Sequence, residues 1–171
     1  RGSHLITSAE ERERVAELNL IAGRRAKTST AYASALKYLA AGRALLTEET
    51  WDHNYKLIFS IDYLMAECEL LTADMVGSES RLSMLAQRAR NGHDIALVTR
   101  LQLTLYTTLD RSDRGVEVCL EYMRQGGTDW SPHPTREEVQ REYDRIWSQL
   151  GKRQIEELVD LPLNTNPDVL D

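Results

Sequence analysis

The chain has 171 residues, a formal charge of −6, 42% hydrophobic and 6% aromatic residues, and four prolines. That length suits one ordinary domain with a continuous core, and so few aromatics and prolines favour helices over a sandwich or barrel. The acidic balance offers no basic footprint for nucleic acid, and no apolar run approaches the roughly 20 residues that cross a bilayer.

Arg1-Gly2-Ser3-His4 reads as a tag remnant, and no secretory signal is visible, so the chain is expected to be an excised piece of something longer. Ser8-Ala9-Glu10-Glu11 is a capping box, a hydroxyl with a carboxylate three residues on. The helix it opens should run to about Ala26 with Val15, Leu18 and Ala22 on one face. Thr28, Ser29 and Thr30 are cap candidates for a second helix from about Thr30 to Leu46. In that helix Ala35, Leu39 and Gly42 fall at i, i+4 and i+7, a small–large–small face that lets a neighbouring helix come close.

Thr47-Glu48-Glu49-Thr50 starts another capped segment, and Trp51 to Leu71 reads as one long helix. Its Tyr55, Phe59, Tyr63 and Ala66 share a stripe, and Ile58, Asp62, Met65 and Glu69 form a mixed face. Thr72-Ala73-Asp74 is a turn, and Met75 to about Ala89 is the partner helix, with Ser78 and Leu82 in the small–large pattern. Asn91-Gly92 turns again before a helix from His93 to Leu109. Asp110-Arg111-Ser112 leads to a helix over Val116–Arg124, with Gly115, Cys119 and Tyr122 in the register of Ala35, Leu39 and Gly42.

The equivalent positions Ala35, Ser78 and Gly115 lie 43 and 37 residues apart. Three antiparallel pairs are expected, stacked into an all-α, TPR-like alpha-alpha superhelix, since single pairs cannot bury their apolar faces alone. Residues 5–127 would hold these repeats. Residues 128–171 would hold a stiff connector, Asp129-Trp130-Ser131-Pro132-His133-Pro134, then capping helices and a tail. A second capping box, Thr135-Arg136-Glu137-Glu138, opens a helix to Leu150, a short helix follows from Gln154 to Val159, and Asn166-Pro167 marks the tail. Cys68 and Cys119 show no paired spacing and read as reduced core thiols of a cytoplasmic protein.

The stretch AGRRAKTSTAYASALKYLAAGRALL resembles the helical region of large multidomain signalling proteins. These join a Ser/Thr-kinase-like domain, an AAA-type ATP-binding module, this helical region, a GAF domain and often a sensor histidine kinase. The likeness returns at CELLTADM, LTLYTTLDRSDRGVEVCLEYM, TDWSPHPTREEV and IEELVDLP. It departs at Asp110, where Gly is usual, and at Ser112, where an aromatic is usual. The resemblance implies a non-catalytic regulatory or protein-interaction arm that transmits or recruits between ATPase and kinase modules.

Catalytic signatures are absent: there is no GxxxxGK[ST] and no GxGxxG, so the expected kinase and ATPase chemistry lies outside this stretch. Gly77-Ser78-Glu79-Ser80 lacks the closing glycine of a nucleophile elbow, and Ser78 occupies a packing position. His93-Asp94 has the His-acid order of a phosphoacceptor but not the Arg and Pro that accompany one, and a helix start suits a solvated His. No spacing suggests a metal site and no cofactor is expected.

Projecting the register onto a concave surface places Leu20, Arg24 and Lys27 from the first pair there. Tyr63, Glu67 and Leu70 join them from the second, and Arg100, Thr104 and Thr107 from the third. Cations, hydroxyls and an aromatic suit capture of a peptide or of a flanking domain of the parent protein. The alternative is a small-molecule sensor in which Trp51, Tyr55, Phe59 and Tyr63 line a pocket. Solenoid ends stripped of neighbours often pair, so a homodimer of this stretch alone stays open.

Overall fold

The computed structural model describes residues 8–163. The tag-like start and the Asn166-Pro167 tail lie outside them. All regular structure among the described residues is helical: α1 (Ala9–Thr28), α2 (Tyr32–Arg43), α3 (Thr50–His53), α4 (Tyr55–Leu71), α5 (Met75–Arg88), α6 (Gly92–Thr108), α7 (Ser112–Gln125), α8 (Arg136–Leu150) and a 3-10 helix, Ile155–Asp160. They group into two compact units that divide after Arg111.

Local chemistry starts α1, α5, α6 and α8. Ser8 Oγ accepts from the Glu11 amide at 3.0 Å, and the Glu11 carboxylate accepts from the Ser8 amide in return. Thr135 and Glu138 close the same box at α8. Asp74 caps α5 through the Gly77 amide and Asn91 caps α6 through the Asp94 amide. Two expectations are corrected. The helix expected over Trp51–Leu71 is broken at Asn54 (φ −136°, ψ 52°), which ends α3 and precedes α4. Thr28, Ser29 and Thr30 do not cap α2, whose N-cap Ala31 has no side-chain bond; Thr28 instead donates back to the Arg24 carbonyl and Ser29 caps the end of α1.

Three turns repeat one geometry. After α1, α4 and α6 the chain passes through a left-handed residue: Thr30 (φ 58°), Ala73 (φ 65°) and Asp110 (φ 55°). Each turn closes with the same bond across five residues, from the amides of Ala31, Asp74 and Arg111 to the carbonyls of Ala26, Glu69 and Tyr106. This is a Schellman-type closure, which satisfies the orphan carbonyls of a helix end. The turns lie 43 and 37 residues apart, the intervals read from Ala35, Ser78 and Gly115.

The first unit is a stack of hairpins with its core between them. Leu39 of α2 lies against Gly23 of α1, so close that a Cβ on Gly23 would stand 2.7 Å from Leu39 Cγ. Further along α2, Gly42 meets Asn19 and Ala16 nearer the start of α1, so the two helices run antiparallel. Ala16, Ala35 and Leu39 have no exposed surface. The next hairpin repeats the device: Ser78 of α5 is fully buried and its hydroxyl donates to the Ala66 carbonyl of α4 at 2.9 Å. Helix α4 is the central element, packed against α1, α2, α5 and α6.

The buried face of α1 is therefore Ala16, Leu20 and Gly23, not the expected Val15, Leu18 and Ala22. Leu18 is 61% exposed. Short side chains, not the largest apolar ones, decide which side of α1 faces α2, because close approach buries more total surface than one leucine.

The same unit buries charge. Asp62 of α4 is fully buried and accepts from Arg43 Nε of α2 at 2.9 Å and from Arg81 Nη1 of α5 at 2.7 Å. Arg81 also grips Glu69, one heptad along α4. The mixed face of α4 is thus an ionic seam joining three helices.

In the second unit neither α7, α8 nor the 3-10 helix contains a fully buried residue. Gly115 and Cys119 are half-buried, while Tyr122 is exposed. Both cysteines are free, and Cys68 is fully buried, which pushes its thiol pKa up.

Candidate functional site

A row of four rings runs from α3 into α4. Trp51, Tyr55, Phe59 and Tyr63 recur every four residues, and their centroids are 5.9, 5.4 and 6.3 Å apart along the row. Phe59 and Tyr63 are within 7° of parallel. Trp51 and Phe59 are core residues at 5% and 4% exposure, whereas Tyr55 and Tyr63 are half-buried. The row is core on one edge and open on the other.

On the open edge lies a cleft of about 630 Å³. Tyr55, Phe59 and Tyr63 of α4 form its floor, Arg24 of α1 one wall, and Asp94 and Leu97 of α6 the other. Lys56 and Ser60 stand beside the rings. The Tyr55 hydroxyl donates to Asp94 Oδ2 at 2.8 Å and accepts from the Arg90 amide at 3.3 Å. Burial and the Asp94 carboxylate push the Tyr55 pKa far up, so it is a neutral phenol that ties α4 to α6. The guanidinium of Arg90 sits over the Tyr55 ring at 4.7 Å and that of Arg88 over Trp51 at 4.8 Å, contacts that also hold the rings in place.

The cleft gathers Arg24 and Tyr63 of the expected set, and Arg100 reaches it by donating to the Tyr63 hydroxyl at 3.2 Å. That bond, with the nearby charge of Glu67, holds the Arg100 pKa up. Lys27 and Glu67 are paired with each other. Leu20 is corrected: it is a core residue at 8% exposure, on the α1 face that α2 covers. Leu70 is half-buried against the same core. Thr104 and Thr107 are exposed, and the Thr104 hydroxyl donates to the Arg100 carbonyl of its own helix.

Lys56, Ser60 and Asp94 are cleft residues that the projection missed. Lys56, Ser60 and Tyr63 fall at i, i+4 and i+7, so the stripe beside the rings was visible in the sequence once Tyr63 was assigned to a surface. Asp94 could not be found that way, because only packing of α6 on α4 brings it to Tyr55. Its carboxylate is held by Tyr55 and by Asn91 Nδ2.

No family model matches the sequence, and no solved structure matches it. The chain is similar to the hybrid signal transduction histidine kinase G of Dictyostelium discoideum, at 24% identity over 163 residues. That alignment takes in 90% of this chain and 5% of that protein. The relationship is distant, and it is to a small region of a signalling protein.

The rest of the surface is less convergent. A depression of about 650 Å³ in the second unit lies between Trp130, Pro134 and the Val139–Tyr143–Ile146 face of α8. Its charges, Asp129, Glu138, Arg141 and Glu142, are of mixed sign. Among the described residues no three His, Cys, Asp or Glu side chains gather as a metal site, and no helix is long and apolar enough to cross a membrane.

Proposed function

We propose that this chain is a TPR-like helical-repeat module of a multidomain signal-transduction kinase of the two-component type. It is a regulatory and protein-interaction element without catalysis of its own, working in the cytoplasm between nucleotide-binding and sensor or kinase modules. It takes a peptide or a segment of a flanking domain along the ring-floored cleft of the first unit. The observation that carries this reading is the cleft itself: half-buried Tyr55 and Tyr63 with cations beside them, on a rigid stack of hairpins. Aromatic and arginine side chains on a fixed surface bind segments at low entropic cost. The similarity to a region of a hybrid histidine kinase supports the signalling context.

The stacked rings also favour a second reading, a sensor for a small planar molecule. Peptide display against the intact chain separates the two. Ser60 lines the cleft, and its side chain has no hydrogen-bond partner among the described residues, so Ser60→Trp fills the space without changing charge. The module reading expects selected peptides that lose at least about tenfold in affinity on Ser60→Trp, with circular dichroism unchanged. It fails if no peptide or flanking domain binds, or if binding ignores Ser60→Trp. A rise in melting temperature with metabolites or nucleotides, abolished by Ser60→Trp, would establish the sensor instead.

A further inference from the structure

Some cations of the first unit are paired, and others, Arg14, Arg25 and Lys37 among them, have no side-chain hydrogen-bond or ion-pair partner among the described residues; two of the unpaired ones line the cleft. Lys27, Arg43, Arg81, Arg88 and Arg90 each face a carboxylate: Glu67, Asp62, Glu69, Glu48 and Asp52 respectively. Arg24 and Lys56 do not. Both line the cleft, and among the described residues neither side chain has a hydrogen-bond or ion-pair partner. Arg100, at the far ring, spends its guanidinium on the Tyr63 hydroxyl and not on an acid. The one carboxylate in the cleft lining, Asp94, is occupied by Tyr55 and Asn91. Arg24 and Lys56 against Asp94 leave the cleft lining with a net positive charge in a chain of net charge −6.

The rings add a length scale. Tyr55, Phe59 and Tyr63 step along α4 at 5.4 and 6.3 Å. An extended chain rises about 3.3 Å per residue, so alternate side chains on one face fall about 6.6 Å apart. A helix laid in the cleft would present side chains at i, i+3 and i+4 in two rows and needs a wide apolar trough. The cleft has a single row of rings with a cation on each side, which fits one extended strand.

We propose that the cleft takes an extended acidic segment of a protein partner, with alternate apolar side chains on the Tyr55–Phe59–Tyr63 floor and carboxylates toward Arg24, Lys56 and Arg100. This rests on the module reading above and names its partner chemistry. The paired cations cannot contribute equally, since an incoming carboxylate would have to displace one already in place. Arg24 and Lys56 supply attraction with no such exchange, so they determine the preference for acid.

The probe is a fluorescein-labelled decapeptide of alternating Glu and Leu, compared with the same peptide carrying Gln for Glu, by fluorescence anisotropy on the intact chain. The Glu peptide is expected to bind at least about tenfold more tightly at 50 mM salt, with the gap closing by 500 mM as the charges are screened. Arg24→Glu with Lys56→Glu should erase that gap while leaving the circular dichroism and melting temperature unchanged, because neither side chain has a hydrogen-bond or ion-pair partner among the described residues. A peptide with Lys for Glu should gain affinity for the reversed variant. Equal binding of the Glu and Gln peptides, or a gap that survives the double reversal, overturns the proposal. Should display-selected peptides still be lost on Ser60→Trp, the module reading stands and only the acidic preference falls. A self-association of the chain that Ser60→Trp dissolves would make a second copy the occupant and likewise overturn it.

Discussion

Arg81 Nη1 of α5 donates to Oδ1 of the fully buried Asp62 of α4 at 2.7 Å, nineteen residues earlier in the chain. The other oxygen of Asp62 takes Arg43 Nε from α2. One carboxylate therefore cross-links the second helix of one hairpin to both helices of the next. Burial alone would lower the Arg81 pKa, but the bonds and charges of Glu69 and Asp62 turn the net shift upward, so it stays charged. Asp62→Ala leaves Arg81 with Glu69 alone and Arg43 with only the exposed Glu48 at 4.0 Å. Removing one partner of a fully buried pair costs about 3–5 kcal/mol. Both arginines keep some access to solvent, at 25% and 22% side-chain exposure, so the lower end of about 3 kcal/mol is expected. Urea denaturation of the chain reads it directly.

The turns after α1, α4 and α6 place non-glycine residues in the left-handed region at Thr30, Ala73 and Asp110. A side chain there costs about 1–2 kcal/mol for most residues and less for Asp or Asn. Ala73→Gly and Thr30→Gly should each stabilise the first unit by about 0.5–1 kcal/mol once the extra entropy of glycine in the unfolded chain is subtracted. Asp110→Gly should gain less, since Asp tolerates this conformation. Melting temperatures of the three variants give the order. A loss at Ala73 would contradict the shared turn geometry.

Close packing of α1 on α2 predicts the opposite sign for an ordinarily favourable change. Gly to Ala inside a helix gains about 1 kcal/mol of propensity. At Gly23 the new methyl would meet Leu39 Cγ at 2.7 Å, and Leu39 is fully buried. Overpacking costs about 1–3 kcal/mol, so Gly23→Ala should be destabilising by about 1 kcal/mol net. In the second hairpin Ser78→Ala loses one hydrogen bond to the Ala66 carbonyl, about 1 kcal/mol, while Ser78→Leu should cost about 3 kcal/mol. Chemical denaturation of the series measures all three.

Glu13 of α1 links to α3 by bonding His53 Nε2 at 2.5 Å and Asn54 Nδ2 at 2.6 Å. The Glu13 bond raises the His53 pKa above its ordinary 6.5, and the Asn54 and His53 bonds lower the Glu13 pKa below its ordinary 4.5. A raised His contributes stability that is full below its unfolded pKa and is lost as pH rises through the folded one. A lowered Glu contributes stability that is full above its unfolded pKa and is lost as pH falls through the folded one. The link is therefore strongest between about pH 4.5 and 6.5. The melting-temperature difference between the native chain and His53→Ala should peak in that window and shrink above pH 7. A difference that grows toward pH 8 would refute it.

What the sequence determined alone is what short-range chemistry can encode. The boxes Ser8–Glu11 and Thr135–Glu138 start helices because a hydroxyl and a carboxylate three residues apart satisfy amides of their own turn. The small–large–small face of Ala35, Leu39 and Gly42, and its echo at Ser78, marks where helices touch, because side-chain size is legible without knowing the partner. Tertiary structure decided the rest, because partners far apart in sequence carry no mutual signal. Leu18 looked like core and is exposed, since the buried side of α1 is the one that lets α2 come near. Asp62 was legible only as one member of a mixed face and joins three helices, since Arg43 and Arg81 arrive from either side only after the hairpins stack. The cleft exists for the same reason: Arg24, the three rings and Asp94 sit on three helices, and only the stacking of α1, α4 and α6 brings them to one surface.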